Sequence, residues 1–388
     1  MNIICKKEDC TGCAACYNSC PKQCITMKED AYGYLYPEID KEKCIDCGLC
    51  RKKCAAVNEI ELKTPQETYA SWSLEKEDKG TCTSGGMATV FSRKIIKNGG
   101  IVYGAVWNKD ASVCHQRVET LEDIDKLKGS KYVHSYIGDS YRKIKQDLEE
   151  QKQVLFIGTP CQVAGLKTYL GKEYEGLYVV DLICHGVPSQ KFLKEYIRGK
   201  LKKSIEIDKI MFRTPEGFRL AVVNKGKTEN EEPAVECLYF MGFLKGLFYR
   251  ENCYHCNYAQ SKRCSDITIG DFWGLGAMEE FKNERKDSIS VTLINTEKGK
   301  ILFEICKENL FSEKRKLEEA VNGNSQLRHP SQKHKNYRVF REQYIVKGFR
   351  GAARKALRKE IIMAPVKRVV KKNQKVYYTI RNLLKKSE

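Results

Sequence analysis

The chain contains no apolar run approaching the roughly 18–20 residues that a membrane-spanning helix needs. Nor does it open on an apolar stretch of signal-peptide type. Both absences lead to the expectation of a cytoplasmic protein. A reducing compartment then makes its nineteen cysteines poor candidates for a disulfide framework. Acidic residues are scarce in one place only. Residues 321–388 hold three Glu against 19 Lys/Arg, so +16 of the net +19 lies there and about +3 in the first 320 residues. The basicity is therefore that of a C-terminal extension, and with no recognised nucleic-acid module beside it, no nucleic-acid partner is expected. A hydrophobic content of 41% over 388 residues fits a globular protein of two or three domains.

What is present is cysteine in a pattern. Cys10, Cys13, Cys16 and Cys20 follow the spacing C-x2-C-x2-C-x3-C. It recurs 34 residues later as Cys44, Cys47, Cys50 and Cys54. A 4Fe-4S cubane needs four converging thiolates. Three on a tight loop supply three corners, and a remote cysteine closes the fourth. In two-cluster ferredoxins the last cysteine of each run ligates the other cluster. Hence Cys10, Cys13, Cys16 and Cys54 are expected on one cluster, and Cys44, Cys47, Cys50 and Cys20 on the second. Zinc sites favour CxxC pairs over CxxCxxC triples.

Residues 58–67 are polar, contain Pro65 and read as a linker. Beyond them strands and helices alternate, which predicts an α/β domain with a parallel or mixed sheet. Strands are expected at Ile101 to Trp107, Val154 to Ile157, Leu177 to Ile183, Ile207 to Phe212, Ala221 to Asn224, Asp266 to Ile269 and Ile289 to Ile294. Helices are expected at 84–98, after Pro160 to Leu170, and at 190–202, 236–247 and 297–308. In such sheets ligands sit at the carboxyl ends of strands, where the Gly/Pro/Cys-rich turns fall.

A second cysteine set lies in this region. Cys253 and Cys256 form a lone CxxC, compatible with zinc, a redox dithiol or plain packing; Cys264 follows. Cys161 and Cys184 stand at strand ends. Four thiolates from separate turns could form a third cluster, or be unrelated buried thiols. Cys5, Cys24, Cys82, Cys114, Cys237 and Cys306 are isolated and read as packing residues.

Several short motifs now occur in order: Thr83-Ser84-Gly85-Gly86 opening a helix, Gly129-Ser130-Lys131-Tyr132, Gly158-Thr159-Pro160-Cys161-Gln162, Cys184-His185-Gly186-Val187-Pro188, the CxxC, and Asp266-Ile-Thr-Ile-Gly270-Asp271. With the N-terminal cysteine runs, this set resembles the family of coenzyme F420 hydrogenase/dehydrogenase beta subunits over about residues 3–310. The CHGVPS and DFWG segments look more like a bacterial branch that accompanies polysaccharide-modifying enzymes. The resemblance implies an FAD- and iron–sulfur-dependent oxidoreductase. Its two-electron partner would be the deazaflavin coenzyme F420 or another substrate, such as a polysaccharide-pathway intermediate. It assigns a third cluster to Cys161, Cys184, Cys253 and Cys256, with Cys264 as a departure. It implies flavin contacts from Thr83, Ser84, Gly85, Gly86, Ser130, Lys131, Tyr132, Thr159, Pro160 and Gln162. His185 is the titratable side chain within a motif that would serve as a catalytic proton donor. Asp271 would orient a loop or the flavin.

The expected fold is thus an α+β ferredoxin-like module followed by an α/β mixed-sheet flavin domain and a basic helical C-terminal tail. The module takes residues 1–57 and the linker 58–67. The beta-subunit-like domain has an N-terminal part at 68–150 and a C-terminal part, with third cluster and flavin site, at 151–320. The tail takes 321–388. Its apolar residues from Ile361 to Leu384, set among lysines and arginines, suit peripheral contact with an anionic membrane face. The other expected partner is a redox protein or small electron carrier. The competing function is a non-catalytic electron-transfer adaptor for a partner enzyme.

Overall fold

The computed structural model describes residues 3–201, 206–285 and 288–364. The N-terminal unit comprises α1 (Ala15–Ser19), β1 (Ile25–Glu29), β2 (Leu35–Ile39) and α2 (Leu49–Lys52), with β1 and β2 antiparallel. The sequence repeat is also a backbone repeat. Gly12 and Ala14 have φ of 71° and 59°; their counterparts 34 residues on, Asp46 and Gly48, have 52° and 70°. Two left-handed residues per run curl each loop so that cysteines three apart face one side. At Ala14 and Asp46 the left-handed conformation carries a steric cost, held in place by the surrounding turns.

The main domain runs through β3 (Glu67–Ser73), α3 (Met87–Lys97), β4 (Ile101–Trp107), β5 (Val113–Val118), α4 (Ser140–Glu149), β6 (Val154–Gly158), α5 (Pro160–Leu170), β7 (Leu177–Leu182) and α6 (Gln190–Arg198). It continues through β8 (Lys209–Thr214), β9 (Gly217–Asn224), β10 (Lys227–Pro233), α7 (Leu238–Leu244), β11 (Ile267–Asp271), β12 (Ser290–Ile294), α8 (Glu297–Ile305), β13 (Leu310–Lys314), α9 (Leu317–Gly323) and α10 (Tyr337–Ala356). Eight strands form one mixed sheet in the order β13-β3-β12-β11-β7-β6-β4-β5. The centre, β11-β7-β6-β4, is parallel, and the outer pairings are antiparallel. The central strands Val154–Gly158 and Leu177–Leu182 are almost wholly buried, because helices cover both faces of a parallel sheet. A separate antiparallel sheet joins β8, β9 and β10.

The mixed sheet agrees with the sequence expectation, and β4 occupies the expected residues. Strand β3, an interior strand of the sheet, has no counterpart in the sequence reading. The expected tail also differs. Phe340, Tyr344, Phe349, Ala352, Ala353 and Ala356 of α10 are buried in one core with Phe192 of α6 and Tyr239 and Phe240 of α7. Apolar side chains on one face of α10 lose more water by packing there than its lysines and arginines lose by staying exposed. Helix α10 is kinked at Gly348 (φ 62°, ψ −175°), and both Tyr344 Oη and the Phe349 N–H donate to the Glu195 carboxylate. Residues 337–357 are therefore part of the domain, not an extension. The expected membrane-facing positions from Val366 to Leu384 lie outside the described residues. Among the described residues no helix is long and apolar enough to cross a membrane.

The two units share a core. Cys13, Ala14 and Ala15 pack with Val163, Ala164 and Leu166 of α5. Gly165 makes the approach feasible: a Cβ there would stand 2.8 Å from both Cβ and Sγ of Cys13. Replacing glycine by alanine in a helix ordinarily stabilises by about 1 kcal/mol. Gly165→Ala is expected to do the reverse, costing about 1–3 kcal/mol through overpacking, as read by urea denaturation.

Candidate functional site

Three groups of cysteines and one cavity define the site. Cys10, Cys13, Cys16 and Cys54 are buried together. Burial pushes the Cys13 thiol up to about 11, helped by the charges of Cys54 and Cys10. Burial also raises Cys16, again with the charges of Cys13, Cys10 and Cys54. These four are the set that cross-ligation predicts. Cys20, Cys44, Cys47 and Cys50 line a second cavity of about 240 Å³ at the far side of the module, and Cys47 is exposed. The module thus has an inner and an outer set. Two cysteines read as packing residues lie beside them. Cys5 shares a small cavity with Cys10, Cys13, Cys16 and Cys54, and Cys24 Sγ is 3.3 Å from Cys20 Sγ. No spacing rule signals either one.

The third group is brought together from separate elements. Cys161 opens α5, Cys184 follows β7, and Cys253 and Cys256 lie in and after the 3-10 turn Glu251–His255. Burial raises the Cys161 thiol, with the charges of Cys256, Cys184 and Cys253 adding to it. Burial raises Cys184 to about 11, with Cys256 contributing. Among the described residues no three His, Cys, Asp or Glu side chains close tightly enough for one metal ion. Cys264 stands aside: its thiol meets the Pro160 carbonyl at 3.5 Å, behind the start of α5.

The motif Gly158-Thr159-Pro160-Cys161-Gln162 has a local physical reason. Thr159 is the N-cap of α5, Pro160 its first residue, and Gln162 completes a capping box by accepting from the Thr159 N–H at 3.0 Å. This satisfies a helix start and fixes the position of Cys161, whose Sγ lies 3.2 Å from Thr159 Oγ1. The pattern T-x-x-Q was readable in sequence as a cap.

A cavity of about 270 Å³ opens at the carboxyl ends of the parallel strands. Of the sequence-derived contacts it is lined by Thr83, Ser84, Gly86, Ser130, Lys131, Tyr132, Thr159 and Gln162, together with Cys184, His185 and Asp271. The two loops meet where Ser130 Oγ donates to Thr83 Oγ1 at 3.1 Å. Gly85 and Pro160 are not in the wall. The Gly85 N–H is spent on Ser290 Oγ, and a Cβ there would run into the Ser71 carbonyl; Gly85 is a packing glycine. Gly86 (φ 76°) ends the loop as the N-cap of α3.

Arg213 and His134 line the wall with no signal in the sequence, beside the expected Lys131, His185 and Asp271. Lys131 Nζ donates to the carbonyls of Leu127, Lys128 and Gly129 and forms no ion pair among the described residues. Burial lowers it to about 7, with the charge of Lys209 assisting. Arg213 clamps Asp271 through two nitrogens and also donates to Tyr132 Oη, so Asp271 is held as an ion-pair partner. His134 presents a buried Nε2 with no partner. His185 is lowered by burial, with Asp271 opposing.

His115 is also in the wall. Its Nε2 donates to the Ile157 carbonyl at 3.0 Å and its Nδ1 accepts from Ser135 Oγ at 2.9 Å. Burial lowers it from 6.5 to about 4. Between those values the unfolded chain binds the proton and the native one does not, so stability falls as pH falls through that window. His115→Gln removes the titration. From pH 7 to pH 5 the wild type is expected to lose about 2 kcal/mol more than His115→Gln, measured by urea denaturation at both pH values.

Residues 151–320 match the family described as the C terminus of the coenzyme F420 hydrogenase/dehydrogenase beta subunit. Residues 9–57 match the 4Fe-4S dicluster domain. The chain is 26% identical over 325 residues to the coenzyme F420-dependent sulfite reductase of Methanocaldococcus jannaschii, covering 77% of this chain and 46% of that protein, about half its length. It is 20% identical over 328 residues to one of the F(420)H(2) dehydrogenase subunits of Methanosarcina mazei, covering 79% of this chain and 85% of that one. A chain of the F420-reducing [NiFe] hydrogenase complex from Methanosarcina barkeri superimposes with a TM-score of 0.47 at 18% identity, covering 75% of this chain and 91% of that one. Residues 9–57 thus match a 4Fe-4S dicluster domain, and the two relatives that align with most of the chain carry oxidoreductase names.

Proposed function

We propose that the chain carries electrons from the outer cysteine set through the inner set and a third cluster to FAD in the 270 Å³ cavity, and from there to a two-electron carrier or substrate. One observation carries this reading. Cys13 packs on Gly165, one turn of α5 from Cys161, and Cys184 of the same third set lines the cavity. These contacts support a path from the inner set through the third to the cavity. When bound, the clusters supply single-electron transfer and the flavin converts it to two-electron chemistry.

The residues fit an FAD. The first N–H groups of a helix have no intrahelical partner, and those of α3 follow Ser84 and Gly86 at the cavity wall. They suit a pyrophosphate. Lys131 is a cation without an anion, and His134 Nε2 is a polar atom without a partner. His185, expected as a proton donor, is lowered by burial, which favours its neutral form and makes a ring nitrogen a proton acceptor instead. Lys131 Nζ, at about 7, is the better donor. Coenzyme F420 and a polysaccharide-pathway intermediate are the two substrate classes proposed. The first is supported by the names of the relatives, the second by the CHGVPS and DFWG segments.

Anaerobic reconstitution tests the reading. About twelve irons and one FAD per chain are expected from three 4Fe-4S clusters. Cys161→Ser should lose about four irons and keep the ferredoxin pair. About eight irons in the wild type would remove the third cluster from the reading, and a chain without flavin would remove FAD. Flavin bound without turnover of any small substrate would favour the adaptor function. Lys131→Met should weaken FAD binding by about tenfold or more, the worth of a hydrogen bond to a charged group, as read by fluorescence titration.

A further inference from the structure

The least expected charge in the molecule is Arg250. Its side chain is 1% exposed, and it makes no ion pair with a carboxylate among the described residues. Its Nε donates to the Cys10 carbonyl, and its Nη2 to Cys10 Sγ at 3.3 Å and to the Leu35 carbonyl at 2.8 Å. The rings of Tyr36 and Tyr34 lie 4.3 and 5.8 Å from the guanidinium carbon. Nη1 is buried and has no partner. It points at the first cysteine loop, where a Cβ on Gly12 would lie 3.0 Å from it.

A buried guanidinium without a counter-charge is strongly unfavourable. Two tyrosine faces and three neutral acceptors do not neutralise it. A cubane held by four thiolates carries net negative charge, and the Cys10 corner of that site is where the guanidinium donates. The backbone of the same residue reaches the other way. The Arg250 N–H donates to the Val187 carbonyl at 3.0 Å, in the turn after Cys184, and the Arg250 carbonyl accepts from the Cys253 N–H at 2.9 Å. Asn252 Nδ2 adds a bond to the Asp9 carbonyl at 3.1 Å. One residue therefore ties the inner cysteine loop to two of the three segments that supply the third set.

We infer that Arg250 is the fixed counter-charge of the inner cluster and a positioning residue for electron passage, holding that cluster more readily reduced than it would be without the guanidinium. This rests on the assignment of Cys10, Cys13, Cys16 and Cys54 to one cluster. The physical cause is that reduction adds one negative charge, and a nearby cation and an N–H···S bond favour the more negative state. The step served is the arrival of one electron from a low-potential one-electron donor; no bond forms or breaks.

The test is a redox titration with dithionite, followed by electron paramagnetic resonance, on the full reconstituted chain as wild type, Arg250→Gln and Arg250→Lys. In Arg250→Gln one cluster transition is expected to fall about tenfold in its reduction equilibrium, which is about 59 mV for a one-electron couple, while the others hold. Arg250→Lys should move the same transition by less. If every transition is unmoved in Arg250→Gln at wild-type iron content, or all move equally, the proposal is overturned. A second measurement uses the wild type. Growth on 15N-arginine should convert a 14N coupling to a 15N coupling at one reduced cluster in pulsed spectra. No arginine coupling at any cluster overturns the proposal even where Arg250→Gln does not fold. Fewer than about eight irons in the wild type sinks the underlying cluster assignment instead, and that result appears before any substitution is made.

Discussion

The packing of α1 on α5 is the contact on which the rest depends. A cysteine-bearing loop could sit anywhere on the surface of a larger domain and still hold iron. Here Cys13 enters the same apolar core as Val163 and Leu166, and a missing side chain at Gly165 lets it come close. The closest approach of the two backbones is set by van der Waals exclusion. That makes it insensitive to salt and intolerant of one added carbon atom. Because α5 also carries Cys161, the contact that joins the units also joins the inner cysteine set to the helix bearing the third.

The main domain prepares its side of that contact by ordinary means. Parallel strands covered on both faces leave their carboxyl ends as the open edge. Each helix or turn that follows starts with unpaired N–H groups, and the chain satisfies them deliberately. Thr159 and Gln162 cap α5, and the loop ending at Gly86 caps α3 with backbone alone. Helix α5 is capped by side chains beside Cys161 and α3 by none, so two helix starts on a single sheet edge are finished differently.

Much of this was legible in sequence, unevenly. Apolar runs such as Val154–Gly158 and Leu177–Leu182 announced themselves because both faces are buried. Strand β10, Lys-Thr-Glu-Asn-Glu-Glu-Pro, carries no apolar signal; it forms because it pairs with β9. Strand β3 mixes small and aromatic residues and shows neither a clean alternation nor a run. In α10 the positive charge obscured a buried face built from Phe340, Tyr344, Phe349 and three alanines. Among site residues, the tandem cysteines follow a spacing rule that survives without structure. Arg213, paired with Asp271 and Tyr132, does not, since it acquires meaning only from neighbours distant in the chain; Cys5 and Cys24 stand close to the runs but outside the spacing rule.

The backbone repeat has a consequence of another kind. Two loops of the same shape, with left-handed residues at the same two positions, begin as equals. Folding then places one against a domain core and leaves the other with an exposed cysteine. The buried copy can vary only in step with α5, whereas the exposed copy answers to whatever meets it in solution. A duplicated unit has in this way become a polar one, with a face that is fixed and a face that is free to change its company.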